Sequence, residues 1–171
     1  MREAGFRWAR WLALSAGVFA ADLATKAWVS RVFQPGDSLE VTPFFNLVLA
    51  HNTGAAFSFL AGAGGWQRWF FTAATVVISA GIVVMLARRP GRWVSAALAL
   101  VLGGALGNLF DRLTLGHVVD FVQLHAAGYY WPAFNVADSA ICIGVGLLFL
   151  DMLRSEGEQA AGPEPRVGAG S

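Results

Sequence analysis

Two aspartates in apolar surroundings, Asp120 in the run GHVVDF and Asp138 in the run PAFNVADSAICIG, are the residues of this chain best suited to do chemistry. Carboxyl groups brought close together in such surroundings do not both ionise easily, and the pair then holds one proton over a wide pH range. A pair in that state can hydrolyse an amide, because the ionised member takes a proton from water while the protonated member polarises the carbonyl. Neither a metal nor a covalent intermediate is required. Residue type and spacing leave a second reading open, in which Asp138 is only a favourable charge at a helix N-terminus and Asp120 a solvated loop carboxyl.

Further polar residues gather at the same level of the chain: Asp22, Lys26, Asn52, Asn108, Asp111, Arg112 and Asn135. Asp22 and Lys26 are spaced i,i+4 and suit a structural polar pair on one helix face better than a proton shuttle. Of Asp111 and Arg112, one is expected to orient a neighbour or a phosphate headgroup, for which the guanidinium fork is the better tool. Asp151 reads as interfacial, and His51, His117 and His125 are scattered over loops as surface or structural residues. Cys142 lies in an apolar run with no base beside it, so it points neither to a thiol nucleophile nor to an internal disulfide. No Cys/His cluster has zinc spacing, and no metal or cofactor is expected. Gly103 and Gly107 form a small-xxx-small pattern that suits close helix packing.

The elements that must position these groups follow from composition. The 171 residues are 56% hydrophobic and 13% charged, against roughly one-quarter charged in an average soluble domain. Mean hydropathy is +0.55. Four apolar stretches, at about 11–29, 69–87, 93–110 and 134–153, approach the roughly 20 residues that a helix needs to cross a bilayer. All seven tryptophans fall at or just outside those ends, as amphipathic rings at headgroup level should. The net charge of +1 carries no information on partners, but the placement of basic residues does. Eight of the twelve, Arg2, Arg7, Arg10, Arg88, Arg89, Arg92, Arg154 and Arg166, lie on one side of the four spans. The positive-inside rule then predicts a multi-pass protein with both termini in the cytoplasm. A cleaved signal peptide is the alternative for the first segment, and Asp22 with Lys26 argues against it.

The two loops on the far side, 30–67 and 111–132, carry alternating β-branched and aromatic residues in SLEVTPFFNLVLAHNTGAAFSFL and HVVDFVQLH. These predict short strands forming a small β-rich cradle at the membrane surface. The fold class expected is therefore an all-α bundle of four transmembrane helices with such a cradle, a single domain over 1–154. The tail 155–171, rich in Gly, Ala, Pro and Glu, is expected to be disordered.

Taken together, DLATKAW from Asp22, NTGAAFSF from Asn52, GGALGNLFDR from Gly103, GHVVDF from Gly116 and PAFNVADSAICIG from Pro132 resemble the lipoprotein signal peptidases, the signal peptidase II family of bacterial inner membranes. The blocks stand in family order, and the resemblance runs from about Trp8 to Leu153. It implies an aspartyl endopeptidase that removes the signal peptide of a diacylglyceryl prolipoprotein, cutting just before the lipidated cysteine. The catalytic pair corresponds to Asp120 and Asp138, and supporting positions to Asp22, Lys26, Asn52, Gly104, Asn108, Arg112, Asn135 and Ala137. The active site would face the periplasm, with residues 52–59 as a cover over it. The expected partners are the lipidated precursor and membrane lipid, with no nucleic acid, and the protein is expected to be a monomer. A small proton-coupled transporter using the same acids as a relay, or a non-catalytic membrane assembly factor, are the alternatives. The relay is disfavoured because the ionisable groups cluster at one face.

Overall fold

A computed structural model of the chain describes residues 3–54, 64–88 and 90–160. Its elements in order are α1 (Glu3–Val32), β1 (Ser38–Thr42), β2 (Phe45–Asn52), α2 (Trp66–Ala87), α3 (Arg92–Thr114), β3 (Val118–Ala126), β4 (Tyr129–Tyr130) and α4 (Val136–Ala160). All four helices contain a stretch long and apolar enough to cross a membrane. Their outward faces expose Val76, Val77, Val84, Ile143, Phe149 and Leu150. Such surfaces are stable only against lipid, where they cost no ordered water.

Helix α3 is the centre of the bundle, with more than half of its span buried, against about a fifth in the other three. Small residues allow this. A Cβ on Gly103 would lie 2.6 Å from the Ser15 carbonyl oxygen of α1, and one on Gly104 would collide with the Ala137 carbonyl oxygen of α4. Gly144 of α4 approaches Ala97 and Val101 of α3 as closely. Without a hydrophobic drive between helices in lipid, backbone approach of this kind supplies the packing. Ser15 adds a hydroxyl hydrogen bond of 2.9 Å to the Ala99 carbonyl.

The four strands form one antiparallel sheet in the order β1-β2-β3-β4. Val29, Phe33, Leu49, Val119 and Phe121 are buried together, with Val136 packed against them, so the sheet is sealed onto the ends of α1 and α4. A second cluster, Ile82, Leu86, Leu98 and Leu102, with Trp11 and Leu12 beside it, joins α1, α2 and α3 elsewhere in the bundle. Chain direction reverses between α3 and β3 at Gly116, whose φ of +84° favours glycine. The Asp111 carbonyl accepts from Leu115 and Gly116 there, at 2.7 and 3.2 Å.

Element boundaries depart from the sequence expectation for physical reasons. Helix α3 runs to Thr114, past the apolar limit near 110, because Asn108, Asp111 and Arg112 all find polar partners and no longer need water. Helix α4 begins at Val136, since Phe134 is held extended by pairing with Val122. The expected disordered tail is also shortened. Helix α4 continues to Ala160 because Glu, Gln and Ala are good helix formers, while 161–171 and most of the expected cover, 55–59, lie outside the described residues.

Replacing Gly104 by Ala should force α3 and α4 apart at the Ala137 carbonyl. We expect a loss of about 1–3 kcal/mol, seen as a melting temperature several degrees lower in detergent, with a larger loss for Gly104→Leu.

Candidate active site

Asn135 stands immediately before α4 and caps it. Its side-chain oxygen accepts from the Asp138 N–H at 2.9 Å, and the Asp138 carboxylate accepts from the Asn135 N–H at 3.3 Å. This is a reciprocal capping box, which satisfies two donors that helix geometry leaves unpaired. A third donor, the Ala137 N–H, goes to the Asp22 carboxylate at 2.8 Å. The helix start is therefore tied to α1 as well as to itself.

The strand β3 meets this helix start directly. Phe121 and Val122 donate to the Phe134 carbonyl at 3.0 and 2.8 Å, and Phe134 returns a hydrogen bond of 2.9 Å to Val122. That register carries Asp120 to the side chain of Asn135, whose amide nitrogen donates to Asp120 Oδ1 at 2.7 Å and to the Val119 carbonyl at 3.2 Å. The other Asp120 oxygen accepts from Asn52 Nδ2 at 3.1 Å. Asn108 Nδ2 donates to Asp138 Oδ1 at 2.7 Å. Asn135 thus touches both carboxyl groups, one with its side-chain amide and the other with its backbone.

Asp120 is 2% exposed. Burial, reinforced by the nearby Asp138 charge, pushes its carboxyl up to about 7, against the pull of hydrogen bonds from Asn52 and Asn135 and of the Lys26 charge. A carboxylic acid protonated near neutral pH is thereby placed beside a second carboxyl group. The arrangement can carry out acid–base chemistry on one bound molecule of water.

Lys26 is buried among three acceptors: Asp22 at 2.7 Å, Asp111 at 2.9 Å and Asn108 Oδ1 at 3.0 Å. Asp111 also accepts from the Val119 N–H at 3.1 Å, so one carboxylate joins the α3 end to β3. A Cβ on Gly107 would lie 2.5 Å from the Asp22 carboxylate. Arg112 donates to the carbonyls of Asn108 and Gly54, at 3.3 and 3.1 Å, with its guanidinium 5.4 Å from the Phe71 ring. It ties α3 to the chain just beyond Asn52 and to α2.

The structure brings together Asp22, Lys26, Asn52, Asn108, Arg112, Asp120, Asn135, Ala137 and Asp138 in the network just described, with Gly104 packed against the Ala137 carbonyl. Asp111 had no definite role in the sequence reading, yet it is a direct partner of Lys26. Its signal was the i,i+3 spacing from Asn108, which puts both on the α3 face turned to α1. His51 and His117 have no sequence spacing in common but stack at 4.0 Å between ring centres. Burial, then the neighbouring His51, lowers the affinity of His117 for a proton. Cys142 is exposed on α4, four residues after Asp138. Among the described residues no group of three or more His, Cys, Asp or Glu side chains could hold a metal ion.

Removing Lys26 leaves two buried carboxylates facing each other, whereas Asp22→Asn keeps an acceptor for Ala137 and leaves the Lys26–Asp111 pair intact. Lys26→Met should therefore cost about 3–5 kcal/mol and lower the folded yield more than Asp22→Asn does. Equal melting temperatures for the two variants would contradict this account of the charge balance.

Comparison with known proteins agrees over nearly the whole chain. The family described as Signal peptidase (SPase) II matches residues 14–154. The chain is 57% identical over 145 residues to a protein named lipoprotein signal peptidase from Ralstonia nicotianae, covering 84% of each. It is 55% identical over 147 residues to one of the same name from Paraburkholderia phytofirmans, covering 85% of this chain and 86% of that one. Two solved bacterial membrane enzymes share the fold. One has a TM-score of 0.80 at 32% identity over 94% of this chain and 95% of its own, the other 0.75 at 34% over 85% and 93%. With its four spans, its sheet and this match, the chain belongs to the signal peptidase II family of membrane peptidases.

Proposed function

We propose that the protein is an aspartic endopeptidase that removes signal peptides from diacylglyceryl prolipoproteins, cutting just before the lipidated cysteine, with Asp120 and Asp138 as the catalytic pair. The observation that carries the reading is the shared hold of Asn135 on both carboxyl groups, one of them with its proton affinity raised to about 7. The relatives named lipoprotein signal peptidase support the substrate class.

In the mechanism, Asp138 is the ionised carboxylate and takes a proton from the attacking water, whose oxygen bonds to the scissile carbonyl carbon. Asp120 gives its proton to the carbonyl oxygen, which forms a neutral tetrahedral diol. Collapse breaks the C–N bond. The proton held by Asp138 passes to the departing amine, a diol hydroxyl returns its proton to Asp120, and the pair regains its starting state. Asn52 and Asn135 hold Asp120, while Asn108 holds Asp138. Arg112 fixes the strand end that carries Asn52 through the Gly54 carbonyl.

The site's place in the bilayer selects the substrate. The buried charged groups Asp22, Lys26, Asp111 and Asp120 gather at the end of the bundle that carries the sheet. The basic residues concentrate at the opposite end, which supports an inner-membrane protein with cytoplasmic termini and a site at the periplasmic boundary. A lipid-modified cysteine would reach that level with its acyl chains still in the outer leaflet. Clustering at one end also opposes a proton path across the membrane.

Two outcomes test this reading. With purified protein and a lipidated precursor, in the presence of a chelator, Asp120→Asn and Asp138→Asn should each lower cleavage by at least about 10³-fold, and full processing by either variant would remove the pair from the mechanism. Wild-type kcat should fall as pH rises through about 7, because Asp120 then loses the proton it must donate. The sign for stability is the same. The folded state holds a proton that the unfolded chain, with a carboxyl near 3.8, has released, so stability declines as pH rises between those values. Asp120→Asn should abolish that part of the decline in a thermal-melt series.

A further inference from the structure

The hydrogen bonds around Asn108 have a fixed polarity. Lys26 has donors only, so the atom of Asn108 that faces it at 3.0 Å must be the amide oxygen. That oxygen also accepts from Asn135 Nδ2 at 3.3 Å. The Asn108 amide group is left with its NH2 pointing the other way, at Asp138 Oδ1, 2.7 Å away. The second Asp138 oxygen already faces the Asn135 N–H. Each Asp138 oxygen is thus met by a donor, and the orientation of the stronger one is dictated two residues away, by a side chain that makes no hydrogen bond to either carboxyl group.

We propose that Lys26 is a positioning residue for the reaction: by locking the Asn108 amide with its NH2 toward Asp138, it makes Asp138 the proton acceptor of the pair and leaves Asp120 as the donor. This rests on the aspartic reading given above. A flipped Asn108 would present its oxygen to Asp138, and a lone pair against a carboxylate favours a proton in between. The lock is charge-assisted and buried, so it is strong and little screened by salt.

The charged groups near Asp138 come from three elements. They are Asp120 on β3, Arg112 and Asp111 on α3, and Lys26 and Asp22 on α1. Arg112 acts on Asp138 through space alone, because its hydrogen bonds go to the Asn108 and Gly54 carbonyls. Asp22 and Asp111 are bound to the Lys26 ammonium itself, at 2.7 and 2.9 Å. They hold the ammonium where it reaches Asn108. Lys26 is the one member of this set, among the described residues, with a direct hydrogen-bonded route to the Asp138 carboxylate through a single neutral side chain.

The test is the pH profile of kcat, measured with full-length protein and a lipidated precursor for wild type, Lys26→Met, Asn108→Leu and the double variant. Lys26→Met should move the acidic limb to higher pH by about one unit and lower kcat by at least about 10-fold at neutral pH with KM within about 2-fold. Asn108→Leu should move the limb in the same direction, and the double variant should move it no further than the larger single change. An unmoved limb in Lys26→Met, with activity lost only in proportion to folded protein, overturns the proposal. If Lys26→Met yields no folded protein, an unmoved limb in Asn108→Leu overturns it equally. Failure of the aspartic reading is distinct, since it would appear as cleavage by Asp138→Asn.

Discussion

A buried lysine ammonium holds the sheet-bearing end of the bundle together. In lipid a charge is costly, roughly 2.5–3.5 kcal/mol at a helix centre even on the lower scales, and Lys26, toward the end of α1, offsets its cost by finding acceptors from the protein. Asp22 is its own helix neighbour, while Asp111 and Asn108 come from α3. Through Asp22 the same group reaches the Ala137 N–H and so the start of α4, and through Asp111 it reaches Val119 of β3. Four of the elements that carry the site, α1, α3, α4 and β3, are therefore fixed by one charge balance. Glycines make it attainable, because Gly104 and Gly107 let α3 come close enough to α4 and α1 for side chains this short to meet.

The site rests on helix capping put to a second use. Asn135 and Asp138 form a reciprocal cap of a kind found at many helix starts. Here the cap residue has a third contact, to Asp120 on the strand. Pairing of Phe134 with Val122 sets that contact. A structural role for Asp138 as a helix N-terminal charge and a chemical role as half of a pair are thus compatible. Donors of the cap and of Asn108 meet the Asp138 side chain, while burial favours the neutral form of Asp120. Two carboxyl groups held in different environments are what acid and base assignments require.

Much of this was legible in the sequence. Hydropathy and tryptophan placement located four spans, and strand alternation located β1, β2 and β3. Asp22 and Lys26 could be paired because helix geometry is periodic. Contacts between distant segments were harder to read. That Asp111 would turn to Lys26 depends on the rotation of α3, which Gly103, Gly104 and Gly107 set through close approaches no local pattern specifies. The late start of α4 depends on a bridge between Phe134 and a strand in another part of the chain. His51 and His117, 66 residues apart, meet only because β2 pairs with β3 beside the Gly116 turn. Which carboxyl holds the proton also depended on burial, and burial is a property of the assembled fold.

The central claim is that Asp120 keeps a proton near neutral pH because it is buried beside a second carboxyl group. Infrared spectroscopy of the protonated-carboxyl C=O stretch, followed across a pH titration of wild type and Asp120→Asn, tests it directly. The account predicts a band that disappears with a midpoint of about 7 in wild type and is missing from the variant. Loss of every carboxyl band by about pH 5, the range of ordinary solvated acids, would contradict it.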